Sequence, residues 1–173
     1  MKRVIILGPE STGKSTLSAQ LAAHYNTEWC AEYAREYLTT YGTDYTYDDL
    51  LTIAKGQLKL QQQCLADSPA SKVLFFDTDM YVIKVWCEFV FEKCHRFILD
   101  QVVAQQCDLY LLCNTDLPWA PDPLREYPDL VNREKLFYIY KDIMVNQPVP
   151  FRIVEGQDQQ RLAMAIAAVD EIL

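Results

Sequence analysis

Glycine is scarce in this 173-residue chain, which has five, and histidine is scarcer, with two. No two cysteines form a CxxC pair. Zinc frameworks draw on closely spaced Cys and His pairs, so a zinc site is not expected. The six cysteines (Cys30, Cys64, Cys87, Cys94, Cys107 and Cys113) mostly sit among apolar residues, as in WCEFVFEKC. They read as buried, reduced thiols. The chain also lacks a Lys/Arg run, and its net charge is −8. A duplex nucleic-acid binder shows a basic face, so nucleic acid is not an expected partner. No apolar run approaches ~18 residues, the length that would span a membrane. Lys2 and Arg3 are followed by only four apolar residues before Gly8 and Pro9, too short for a signal peptide. The expectation is a cytoplasmic protein with no membrane partner. Repeats, low-complexity tracts and interdomain linkers are also missing.

What is present is an alternation of short apolar runs with amphipathic stretches. KRVIIL, KVLFFD (Lys72 to Asp77), DLYLLCN (Asp108 to Asn114) and PFRIVEG read as buried strands, with a shorter one near Thr27 to Cys30. Helices are expected over Ser15 to Tyr25, over AEYAREYLTTYG with Gly42 as its stop, and after Thr46 as an N-cap. Further helices are expected over Met80 to Lys93, Phe97 to Gln106, Arg133 to Asn146 and Gln157 to Leu173. Such alternation indicates a parallel five-stranded sheet with helices on both faces.

Two of the five glycines fall in GPESTGKST, directly after the first strand. Gly8 to Ser15 fits G-x-x-x-x-G-K-[ST]. Glycines there let backbone N–H groups turn inward around phosphate oxygens, and the following helix points its positive end at the same anion. Gly8, Glu10, Ser11, Thr12, Gly13, Lys14, Ser15 and Thr16 are thus candidate nucleotide-binding residues. Lys14 is placed to reach the β- and γ-phosphates and Ser15 to ligate Mg²⁺. The fold class expected is α/β, a three-layer P-loop NTPase fold. ATP is preferred over GTP because no N-K-x-D segment appears.

A magnesium–phosphate site needs an acid at a neighbouring strand end. VLFFDTD supplies Asp77 for the metal, and Asp79 either as a helix cap or as an acid facing the acceptor. AEYAREY carries Glu32 and Arg35, within one helical turn of each other. Glu32 reads as a general base for an acceptor hydroxyl, with Asp79 as the other candidate, and Arg35 as a clamp. After the third clear strand comes TDLPWAPDPLREYPDL, whose four prolines exclude a regular element. It reads as a lid at about 114–133 with Trp119, Asp122 and Arg125, the arginine meeting the transferring phosphoryl group. The run YVIKVWCEFVF reads mainly as core, and Tyr33, Tyr37, Tyr41 and Tyr81 are candidates to line an acceptor pocket.

Together GPESTGKS, AEYAREY, FFDTD and LCNTDLPWAPDPLR resemble the ribosylnicotinamide kinase domain of the NadR-type NAD-biosynthesis regulators. The resemblance spans nearly the whole chain and implies one P-loop kinase domain over 1–173. It implies ATP and Mg²⁺, and transfer of the γ-phosphate to the 5′-hydroxyl of nicotinamide riboside. By motif, Gly8, Gly13, Lys14, Ser15 and Thr16 would bind nucleotide; Glu32 and Arg35 would face the acceptor. Asp77 and Asp79 would be the strand-end acids, and Asp122 and Arg125 the lid residues. The family's tryptophan before the EYxRE segment is replaced here by Ala31, with Trp29 two positions earlier as its candidate substitute and Tyr33 beside it. The alternatives are a kinase for another nucleoside or vitamin, and a regulatory P-loop ATPase switch. The sequence carries no statement of oligomeric state.

Overall fold

The computed structural model describes all 173 residues. Three apolar runs make the centre of the sheet: β1 (Lys2–Leu7), β3 (Val73–Asp77) and β4 (Leu109–Cys113). Two shorter strands, β2 (Trp29–Cys30) and β5 (Phe151–Val154), close the edges. The order is β2-β3-β1-β4-β5, and every pairing is parallel. Every residue of β3 and β4 is buried, as continuous apolar runs in a sheet covered on both sides require.

Seven helices connect the strands: α1 (Lys14–Tyr25), α2 (Tyr33–Tyr41), α3 (Tyr47–Asp67), α4 (Met80–Phe91), α5 (Arg96–Ala104), α6 (Leu130–Asn146) and α7 (Asp158–Asp170). The period-two alternation of the strands sorts their side chains between two layers. Val4, Ile6, Phe75 and Leu111 meet Leu17 and Leu21 of α1 and Ala165 and Val169 of α7. Ile5, Leu7, Leu74 and Leu112 meet Val82 and Val85 of α4 and Leu136, Phe137, Tyr140 and Met144 of α6. A third cluster joins α2, α3, α4 and α5 through Ala34, Leu50, Ile53, Ile83 and Ile98.

Most expected element ends hold. Thr46 caps α3 reciprocally: Asp49 N–H donates to Thr46 Oγ1 at 3.4 Å, and Thr46 N–H donates to Asp49 Oδ2 at 2.7 Å. Gly42, at φ +91°, ends α2. Helix α6 starts three residues earlier than expected, because Asp129 accepts Asn132 N–H at 2.8 Å and serves as the cap. Residues 114–129 contain no helix or strand. All six cysteines are free, and none is exposed.

Candidate nucleotide and acceptor site

Strand β1 lies at the middle of the sheet, with β2 and β3 to one side and β4 and β5 to the other. The crevice at the carboxyl edge beside such a strand is where ligands bind in open α/β sheets. GPESTGKS emerges there. Gly8, at φ +142°, passes so close to β4 that a Cβ would stand 2.8 Å from the Cys113 carbonyl oxygen. Gly13, at φ +76°, turns the chain into α1. The N–H groups of Ser11 to Thr16 make no backbone hydrogen bond within the fold. They form a nest of donors at a helix N-terminus, the arrangement that receives phosphate. Lys14 Nζ donates to Pro9 O at 3.0 Å, and Ser15 Oγ to Asp77 Oδ2 at 2.5 Å.

Two arginines stand behind this loop. Arg133 of α6 donates from Nε to Glu10 O (3.2 Å) and from one terminal nitrogen to Ser11 O (3.1 Å) and Leu117 O (3.2 Å). Arg161 of α7 donates to Thr12 O (2.7 Å), Asn114 O (3.3 Å) and Gly156 O (3.1 Å), and pairs with Asp116 at 3.0 Å. Both are buried. Burial and the neighbouring Arg125 charge pull the Arg133 guanidinium below its ordinary value. Sequence reasoning missed both. The signal was there: each cation sits on its helix's buried stripe, Arg133 with Leu136, Phe137 and Tyr140, and Arg161 with Ala165 and Ala168.

The acids divide into two kinds. Asp77 is 1 % exposed, and its Oδ1 has no hydrogen-bond partner. Burial, with the nearby Glu32 charge adding to it, pushes its carboxyl up to about 6. Glu32 lines the cleft as the N-cap residue of α2 and accepts from Thr78 Oγ1 at 3.4 Å. Asp79 does not face the cleft. It is fully buried as the cap of α4, accepting from Tyr81 N–H (2.9 Å) and Val82 N–H (3.2 Å), with Gln105 Nε2 at 2.9 Å on its other oxygen. Burial pushes its carboxyl up to about 6 as well. Of the two readings of Asp79, the helix cap is the one the geometry has.

The cleft continues from the loop into a chamber between α2, α4, α6 and residues 124–127. Three contacts hold the proline-rich segment over it. Glu10 accepts the N–H groups of Glu126 (2.9 Å) and Tyr127 (3.0 Å). Arg35 pairs with Asp122 at 2.9 Å. Trp86 Nε1 donates to Tyr45 Oη (2.8 Å), which donates to Glu126 (2.9 Å). Arg125 lines the cleft and points back at the loop, 3.4 Å from Ser11 Oγ. The Arg125 and Arg133 guanidinium groups both approach the Trp119 ring, 5.7 and 5.6 Å from its centroid.

The chamber's apolar wall is the edge of the core. Val82, Val85, Trp86 and Phe89 of α4, read as core, pack in or against the core clusters and also line the chamber together with Tyr45, Tyr127 and Tyr140. Trp29 does not. Alternation along β2 turns it to the opposite face of the sheet, against the layer of α1 and α7. Tyr33 does not either. Its ring covers Gly56 of α3, where a Cβ would overlap it at 2.0 Å. On α2 the positions facing the cleft are Ala34, Arg35 and Leu38; Tyr33, Tyr37 and Tyr41 stack along another side. Tyr81 packs against Tyr110.

The comparisons agree with this geometry. The sequence profile of the AAA domain family matches residues 3–161. The "Trifunctional NAD biosynthesis/regulator protein NadR" of Escherichia coli (strain K12) is 31% identical over 178 aligned residues, covering 100% of this chain and 43% of that protein. The chain thus spans less than half the length of the curated relatives it matches. A crystal structure of NadR protein in complex with NR superposes with TM-score 0.79 at 26% identity, over 99% of this chain and 49% of the other. Deoxyadenosine kinase from M.mycoides with bound dATP shares the fold, with TM-score 0.60 at 13% identity over 98% of this chain and all of that one. The fold is that of P-loop nucleoside kinases. The chain belongs to the AAA domain family.

Proposed function

We propose that this chain, working as one domain with residues of about 114–133 as its lid, phosphorylates the 5′-hydroxyl of nicotinamide riboside from ATP. The observation that carries the reading is the chemistry of the chamber. Its walls are aromatic (Tyr45, Trp86, Phe89 and Tyr127) and its acids are Glu10, Glu32 and Glu126. The pyridinium ring of nicotinamide riboside is a planar cation, which aromatic faces and carboxylates both attract. Lys14, Arg35 and Arg125, the cleft's cations, line the same cleft as the phosphate loop. The similarity to NadR, whose structure is described with NR, supports the same acceptor.

In this reading the loop N–H groups, Lys14 and Arg125 hold the polyphosphate and stabilise charge on the transferring group. Glu32 takes the proton of the 5′-hydroxyl, the freed oxygen attacks the γ-phosphorus, and ADP leaves. Arg35 holds Asp122, and so the lid, beside the acceptor. Asp77 and Ser15 suit Mg²⁺: a buried carboxylate oxygen without a partner lies beside a hydroxyl at the phosphate loop. No cluster of three or more His, Cys, Asp or Glu ligands exists in the chain, so the cation's other oxygens would come from phosphate and water. When bound, it would neutralise phosphate charge. Trp29 and Tyr33 drop out of the acceptor site, and Trp86 takes the ring-binding role.

The test is ADP formation with nicotinamide riboside, deoxyadenosine, thiamine or no acceptor. Turnover with nicotinamide riboside at least tenfold above the rest is expected. Preference for deoxyadenosine or thiamine would replace the acceptor, and hydrolysis indifferent to acceptor would replace the kinase with an ATPase switch.

A further inference from the structure

We infer that Arg133 and Arg161 are positioning residues that aim the phosphate loop, each acting through the hydrogen-bond fork of its guanidinium on loop carbonyls. The inference rests on the ATP-binding part of the reading above and not on the acceptor.

In a trans peptide the C=O of one residue and the N–H of the next point in opposite directions. Holding the carbonyls of Glu10, Ser11 and Thr12 therefore orients the N–H groups of Ser11, Thr12 and Gly13. Arg133 holds the first two carbonyls and Arg161 the third. These three N–H groups have no backbone acceptor in the fold. The loop needs such outside support. Ser11 sits at φ +56°, a region that side chains other than glycine's avoid, so its backbone does not hold this shape unaided.

Each arginine carries a second set of bonds to the root of the lid. Arg133 reaches Leu117 O, and Arg161 reaches Asn114 O and Asp116. Asp116 in turn accepts Gly156 N–H at 2.6 Å, tying in the turn before α7. One fork thus sets the loop and the start of the lid in register. Arg133 makes no ion pair within 4 Å; its three acceptors are neutral carbonyls. A buried cation so placed is left with charge to share, and the anion available to it is the polyphosphate on the other side of the loop. Lysine carries the same charge but has no planar fork and cannot span two carbonyls in this way.

The experiment measures the affinity of the full chain for the non-hydrolysable ATP analogue AMP-PNP with magnesium and no acceptor, by calorimetry. Arg161→Lys, Arg161→Met, Arg133→Lys and Arg133→Met are compared with Val169→Ala. Val169 is fully buried in α7 and remote in role from the loop, so its truncation lowers Tm without touching the fork. All four arginine variants are expected to bind about tenfold or more weakly, with Val169→Ala within about twofold of wild type at a comparable loss of Tm. Wild-type affinity in the two lysine variants would overturn the inference, since charge alone would then suffice. An equal loss in Val169→Ala would also overturn it, by assigning the effect to general stability. Should an arginine variant fail to fold, Asp116→Asn, which weakens the grip on Arg161 from the lid side, is measured in its place; unchanged affinity there counts against the inference. Neither result depends on which alcohol the enzyme phosphorylates. Wild-type protein that does not bind AMP-PNP would refute the nucleotide site itself.

Discussion

Replacing Asp77 with asparagine should make the ligand-free protein more stable at neutral pH while removing its activity. The carboxyl is 1 % exposed, and burial with the Glu32 charge raises its pKa from 3.8 to about 6. A rise of about 2 units corresponds to roughly 3 kcal/mol between the two protonation states. Because the folded-state value lies above the unfolded one, folding favours the protonated form. That contribution is whole below about pH 4 and is lost as pH rises to about 6, so above that the ionised carboxylate burdens the fold. Asparagine carries no such burden. Its amide is left partly unpaired where Oδ1 had no partner, an offset of about 1–3 kcal/mol that does not vary with pH. The signature is therefore the change in the stability difference, variant minus wild type. It should grow by about 3 kcal/mol between pH 4 and pH 8. Asp79 titrates in the same window but is present in both proteins, so it cancels. Urea titrations at five pH values measure this, and phosphate transfer at pH 7.5 should fall by about 10² or more. A stability difference that stays flat with pH would refute the argument that Asp77 is held against its charge.

Glu32→Gln should lower kcat by about 10²–10⁴, while calorimetry finds AMP-PNP affinity unchanged. Tyr45→Phe breaks the chain from Trp86 to Glu126; losing about 1 kcal/mol of lid contact predicts a several-fold rise in KM for the acceptor with kcat little changed, read from initial rates. Gly56→Ala puts a methyl group 2.0 Å from the Tyr33 ring, and the overpacking should cost about 1–3 kcal/mol, seen as a lower Tm.

The sheet, the phosphate loop and the cap at Thr46 could be read from the sequence because each is set by residues a few positions apart. The side a residue faces is set differently. Trp29 was expected at the acceptor, but alternation along a two-residue edge strand sends it to the α1 layer, and only the assembled sheet says which layer that is. Trp86 and Phe89 do pack against the core, and only their second contact, with the chamber, went unread for a related reason. An apolar stripe that packs on protein and one that packs on a ligand have the same spacing. Asp79 was legible as one of two readings, and burial decides for the cap. Arg133 and Arg161 went unread because their partners are backbone carbonyls in no recognisable pattern, at separations of 16, 122 and 123 residues for Arg133 and of 5, 47 and 149 for Arg161.

One helix supplies more of the chamber's apolar wall than any other element. Val82, Val85, Trp86 and Phe89 all come from α4, whose N-terminus is anchored by the buried Asp79 cap, whereas the phosphate end is built from the loop, α6, α7 and β3. In the reading proposed above, these four side chains face the acceptor and none of them touches the phosphate loop. A library confined to them is therefore expected to change acceptor preference while AMP-PNP affinity stays as it is.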